Sequence, residues 1–165
     1  MRAAIGRFGA AHVLAFGLPL ALLAGAWGSQ LFGGLYPCQL CHWQRWPHYA
    51  ALAIAGLAFF VPGAGVRRAL VLLAAVAIAV SGGIGIAHAG VEYGWWPGFT
   101  ACTSTLQLGG LDAAGRLDAI MHAPLVRCDR APWTLAGISL AGFNAIFSLA
   151  GAATIFLLTL TRSVR

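Results

Sequence analysis

Four long apolar runs leave this chain few ways to fold. They extend over about 10–35, 46–62, 69–91 and 133–160, with short turns and one hydrophilic segment between them. As helices rising 1.5 Å per residue, each is long enough, or nearly so, to cross about 30 Å of hydrocarbon. Of 165 residues, 60% are hydrophobic and only 8% charged, against about 25% charged in ordinary globular chains. Too few ionisable groups remain to cover a water-facing surface, so lipid must cover most of it. The expectation is an all-α polytopic membrane protein. It is a four-transmembrane-helix bundle and a single domain over 1–165, with a short outward loop at about 36–45 and a long one at about 94–132.

The arginines orient the spans. Arg2 and Arg7 precede the first run, Arg67 and Arg68 lie between the second and third, and Arg162 and Arg165 follow the fourth. None of these segments holds an acid. All four acids, Glu92, Asp112, Asp118 and Asp129, fall on the opposite side with Arg45, Arg116, Arg127 and Arg130. The positive-inside rule then puts both termini in the cytoplasm and the two loops outside. The net charge of +6 contains no lysine and lies too thinly along the apolar runs to form a nucleic-acid patch. Arg2, Arg7 and the small residues Ala24-Gly25-Ala26 also fit a cleaved signal peptide. The first run is longer than a usual signal core, however, and cleavage would leave an odd number of spans, so an intact first helix is expected.

All four cysteines then face the same side, where a bacterial-type membrane protein meets an oxidising compartment. Cys38 and Cys41 form a C-x-x-C pair between the first two runs, and Cys102 and Cys128 bracket the long loop. Four cysteines allow three pairings; the spacing favours Cys38–Cys41 as a reversible pair and the sequence does not choose further. A thiol close to a helix N-terminus is drawn toward the thiolate by the helix dipole and unpaired N–H groups. If the second helix already runs through this segment, Cys41 and Arg45 share a face as i and i+4, with His48 one step further. Pro47 removes a backbone bond there and leaves the start of the helix open. The plainer role for Arg45 is an interfacial anchor.

Cys38-Gln39-Leu40-Cys41-His42 also matches C-x-x-C-H, the pattern for covalent haem attachment. A membrane-anchored c-type haem electron carrier is therefore the alternative function. It needs a covering pocket and a further axial ligand, for which His48, His88 and His122 are available, and it leaves Cys102 and Cys128 without a role. A structural zinc site is a third option, weakened by the wide spacing of the second pair; no metal is expected.

In the long loop, Trp95-Trp96-Pro97-Gly98 is an aromatic cluster of headgroup type. Cys102 follows in a small, polar stretch open to another protein. Leu111, Leu117, Ile120 and Met121 suggest an amphipathic segment on the membrane, with Asp112 and Arg116 at i, i+4. His88, within the third run, marks a site or a helix–helix hydrogen bond. Asn144, and Gly137, Ala141 and Ala145 at fourfold spacing, suit helix packing.

Taken together, these residues resemble the disulfide bond formation protein B (DsbB) family of bacterial inner membranes, essentially end to end. The match includes the four spans, Pro37-Cys38-x-x-Cys41 with Arg45 following, two further loop cysteines, and Cys128-Asp129-x-x-Pro132-Trp133 running into Gly137-Ile138-Ser139. The resemblance implies a quinone-dependent enzyme that generates protein disulfides. It would reoxidise a periplasmic thioredoxin-fold oxidase of DsbA type and pass the electrons to ubiquinone or menaquinone in the bilayer. Cys102, paired with Cys128, would accept attack from that partner. Cys38 would exchange with Cys128, and Cys41 would face the quinone with Arg45 stabilising its thiolate. His88 would lie beside the quinone, although alignment near it needs a gap. His42 after Cys41 departs from the family's usual residue.

Overall fold

A computed structural model describes residues 2–100, 110, 112–121 and 126–160 of the chain. Four long helices dominate: α1 Arg2–Leu31, α2 Gln39–Leu57, α3 Ala64–Glu92 and, after a short helix α4 at Ala113–Met121, α5 Leu140–Leu160. Three of them are long and apolar enough to cross a membrane: α1 from Gly6, α3 and α5. α2 differs because it carries Gln44, Arg45 and His48 on its buried face.

Several boundaries depart from the expected runs, with α1 ending at Leu31, α2 at Leu57 and α3 starting at Ala64, and two of the departures have a clear local reason. α2 starts at Gln39, earlier than the run at 46–62, because Cys38 caps it: the Cys38 sulfur accepts the Cys41 N–H at 3.4 Å. Pro47 is accommodated inside this helix. α5 starts at Leu140 rather than near Trp133, since a two-stranded hairpin precedes it: β1 Thr134–Leu135 pairs antiparallel with β2 Ile138–Ser139. Its two turn residues, Ala136 and Gly137, have φ of 51° and 78°, the left-handed pair that closes a two-residue hairpin. Gly137 is therefore a turn residue and not a helix-packing one.

α2 and α3, and α3 and α5, form the closest interfaces, with α1 laid against α2 and α5. The core between them is built from small side chains, including Ala11, Ala15, Ala51, Ala55, Ala74, Ala75 and Ala152 around Val71, Ile78 and Ile155. Apolar burial gains little in lipid, so close approach of small residues is what such helices use to associate. At Gly85 on α3 an added Cβ would lie 3.0 Å from the Ala141 carbonyl oxygen and the Ala145 nitrogen of α5. Ala141 and Ala145 thus pack as the spacing suggests.

Beyond α3 the chain is pinned at both ends of the long loop. Tyr93 donates its hydroxyl proton to the Gly137 carbonyl at 3.1 Å and accepts the Ser139 N–H at 2.8 Å. Trp96 donates its indole N–H to the Ala87 carbonyl at 3.0 Å and lies over Gly90. α4 falls within the expected amphipathic segment, whose Leu111 lies outside the described residues. Asp112 caps it, its carboxylate accepting the Gly115 N–H at 2.8 Å, and Leu117, Ile120 and Met121 are exposed.

Candidate functional site: a cysteine turn over an apolar cavity

Cys38 and Cys41 sit at the N-terminal end of α2, ahead of the run expected to span. The cap brings both sulfurs to the same side: the Cys38 thiol donates to the Cys41 sulfur at 3.4 Å. Behind them stands His88 of α3, 2% exposed, with Nε2 at 3.5 Å from the Cys38 sulfur. The Gln44 amide fixes the protonation of this ring. Its oxygen accepts from Asn144 at 2.8 Å, so its nitrogen faces His88 Nδ1, at 2.7 Å, and the Leu40 carbonyl. Nδ1 is then the acceptor, and the ring proton lies on Nε2, facing the Cys38 sulfur and Glu92 Oε1 at 3.5 Å.

The two thiols are driven apart in acidity. The hydrogen bond to Cys41, with burial behind it, pushes the Cys38 thiol up to about 12. The same bond, received by Cys41, lowers that thiol against the opposing effect of burial. Negative charge in the reduced pair therefore collects on Cys41.

Arg45 is one helical turn beyond Cys41 and 92% removed from solvent (8% exposed). Its guanidinium donates to Gln30 Oε1 at 2.9 Å and to the Ala26 carbonyl at 3.1 Å, and its centre lies 5.2 Å from the Trp27 ring. These partners are neutral, so its charge is oriented without being cancelled. Cys41 and Arg45 open together onto a cavity of about 260 Å³ between α1, α2 and α5, bordered also by Leu22, His48, Phe143 and Asn144. His48 turns Nε2 to Asn144 Oδ1 and Ser81 Oγ, each at 2.9 Å. Its Nδ1 is buried and has no hydrogen-bond partner among the described residues.

Cys128 approaches from the long loop. It is fully buried, packed on Cys38 and Leu40, and its sulfur receives the Leu40 backbone N–H. Burial, opposed by that bond, raises its thiol. Next to it Arg127 and Asp129 form an exposed ion pair.

The structure thus brings together Cys38, Cys41, Cys128, Arg45 and His88. Cys102 lies outside the described residues. His88 borders the cysteine turn from behind and is not part of the cavity lining, which separates it from Arg45. His42 is exposed while Cys38 is buried. The two do not share an open face of the kind a covalently attached haem would need. Two residues that the sequence left unremarked complete the site: Gln44, which orients His88, and Ser81, whose hydroxyl donates to the Gln44 carbonyl at 2.8 Å. Their only sequence signal is that polar side chains inside apolar helices need partners.

The model of the family described as disulfide bond formation protein DsbB matches residues 8–158. Neither a curated protein nor a solved structure matches the chain.

Proposed function

The chain belongs to the DsbB family, a family of membrane disulfide bond formation proteins, and on that premise we propose that it couples a protein dithiol to membrane quinone. One observation carries this reading. Three sulfurs form a ladder, Cys128 on Cys38 and Cys38 on Cys41, that ends at an apolar cavity holding one oriented cation.

In this reading α2 crosses the bilayer as a fourth span from about Trp46, in the inner membrane, with both termini cytoplasmic. A reduced thioredoxin-fold partner of DsbA type attacks Cys102 of a Cys102–Cys128 disulfide and leaves as a disulfide. The freed Cys128 pair is reoxidised by exchange with Cys38–Cys41, through in-line attack and release of the more acidic thiol. Cys41 is that better leaving group, because Cys38 holds its charge by a hydrogen bond.

The cavity fits a quinone headgroup. About 260 Å³ is just below the usual range of about 300–1,000 Å³ for ligand pockets, which suits one ring and not a macrocycle. The lining is mostly apolar, and its polar residues include Ser29, Gln44, Arg45, Asn144 and His48, whose Nδ1 has no partner among the described residues; these are groups of the kind that orient ring oxygens. Bound there, a quinone supplies an acceptor for two electrons and two protons. The chain's residues do the rest: Arg45 stabilises negative charge near Cys41, His88 donates to the Cys38 sulfur, and the Phe143 and Phe147 rings on the cavity wall exclude water.

The test is quinone absorbance over time with purified protein, quinone and a reduced thioredoxin-fold dithiol protein. Loss of quinone requiring both proteins is expected. No loss from a folded sample overturns the reading.

A further inference from the structure

We propose that the reduced Cys38–Cys41 pair and His88 together form a zinc site that exists only while the pair is reduced. Cys38 Sγ, Cys41 Sγ and His88 Nε2 all lie within 4.8 Å of one another. The two sulfurs are 3.4 Å apart, and the Cys38 sulfur is 3.5 Å from the imidazole nitrogen. A tetrahedral zinc with Zn–S of about 2.3 Å and Zn–N of about 2.0–2.1 Å separates its ligand atoms by about 3.5–3.8 Å. The cap of α2 and the seat of His88 on α3 therefore hold two edges of that tetrahedron within a few tenths of an ångström, and the third edge, from Cys41 to His88, within 4.8 Å.

Charge and setting agree with the geometry. Two thiolates and a neutral imidazole balance Zn²⁺, so the complex is uncharged where Cys38 and His88 are 5% and 2% exposed. Binding releases the two thiol protons to solvent and moves no electron. The ligating imidazole must carry its proton on Nδ1, so binding requires the Gln44 amide to turn over from its present orientation, giving up the bond from Asn144 to set its carbonyl oxygen on Nδ1. The fourth corner would be left to a water, as in zinc sites with three protein ligands. Closing the Cys38–Cys41 disulfide removes two ligands at once, so the oxidised protein cannot hold the ion. Beyond binding itself, one consequence rests on the proposed relay: zinc traps the pair as a dithiolate and halts turnover until a chelator removes it.

The experiment uses the full chain in detergent, reduced with a phosphine and desalted without oxygen. It is titrated with Co²⁺ alone and then with Zn²⁺. The expected result is one Co²⁺ per chain with sulfur-to-cobalt charge-transfer and tetrahedral d–d bands, displaced by Zn²⁺. The same sample, once oxidised, should show none. His88→Gln, checked for helix content by circular dichroism, should bind at least ~10-fold more weakly, since losing a ligand costs no less than losing its supporting partner. Should that variant lose helicity, Cys41→Ala takes its place and must lose the charge-transfer band. Absent bands in reduced protein, equal binding by oxidised protein, or undiminished affinity in the variant would overturn the site. Quinone turnover in metal-free buffer separates the two claims: turnover without cobalt binding rejects the site alone, and cobalt binding without turnover supports the site and rejects the relay.

Discussion

The two halves of this bundle solve the same problem differently. Away from the cysteines, the core is alanine with a few branched residues, and its one buried histidine, His12, has a plain arrangement. His12 bonds the Ala55 carbonyl at 2.9 Å and stacks on Phe59 with ring centres 3.9 Å apart. At the cysteine end, Gln44, His48, Ser81, His88, Asn144 and Ser148 replace that packing with a connected hydrogen-bond network across α2, α3 and α5. Burying so many polar groups in an apolar bundle is costly unless each is matched. The network matches most of them and leaves His48 Nδ1 and Glu92 Oε2 without partners among the described residues. The first half is organised for close packing, and the second holds a few atoms ready for chemistry.

That contrast can be broken from either side. Cys41→Ser should have the largest effect, reducing quinone loss to the uncatalysed background while the melting temperature stays unchanged; turnover surviving it would dismiss the cavity as the electron exit. Arg45→Met removes the one cation on the cavity wall, and a fall in kcat of roughly 10²-fold is expected, as for loss of a single charge-stabilising donor. Alkylation of the reduced protein, followed by mass mapping against pH, tests the split acidity. With Cys38 pushed up to about 12, its labelling should rise about tenfold per pH unit between 7 and 9, as expected for a thiol far below its pKa. Cys41, whose thiol is lowered, should level off at a lower pH. A plateau for Cys38 in that window would contradict the hydrogen-bond order. On the packing side, Gly85→Val drives a side chain into the α5 backbone and should cost about 1–3 kcal/mol, read as a lowered unfolding midpoint. His12→Phe leaves the Ala55 carbonyl unmatched and should cost about 1 kcal/mol, at the low end for a buried acceptor, with turnover intact.

Much of this was legible in the residues. The apolar runs set the long helices, and the C-x-x-C followed four residues later by Arg45 placed a thiol and a cation on one face. Leu117, Ile120 and Met121, with Asp112 and Arg116 at i, i+4, pointed to the segment that forms α4. What the sequence could not supply was partnership over long separations. His88 stands behind Cys38 and outside the cavity lining, because its orientation is decided by Gln44, 44 residues away. Gln44 in turn depends on Asn144, 100 residues further on. Local backbone conformation hid the hairpin: Thr134 to Ser139 are apolar enough to read as helix, and only the left-handed pair at Ala136 and Gly137 interrupts it.

Tyr93 sets the ends of the long loop. By joining the end of α3 to the turn before α5, it makes the chain from 94 to 133 a closed loop with fixed ends. Closing a loop of that length costs entropy that grows only with the logarithm of its length, and the folded bundle meets that cost once, before any partner arrives. The sulfur of Cys128 is thereby held beside Cys38 at a high effective concentration. Tyr93→Phe would leave both thiols chemically unchanged and slow only their encounter.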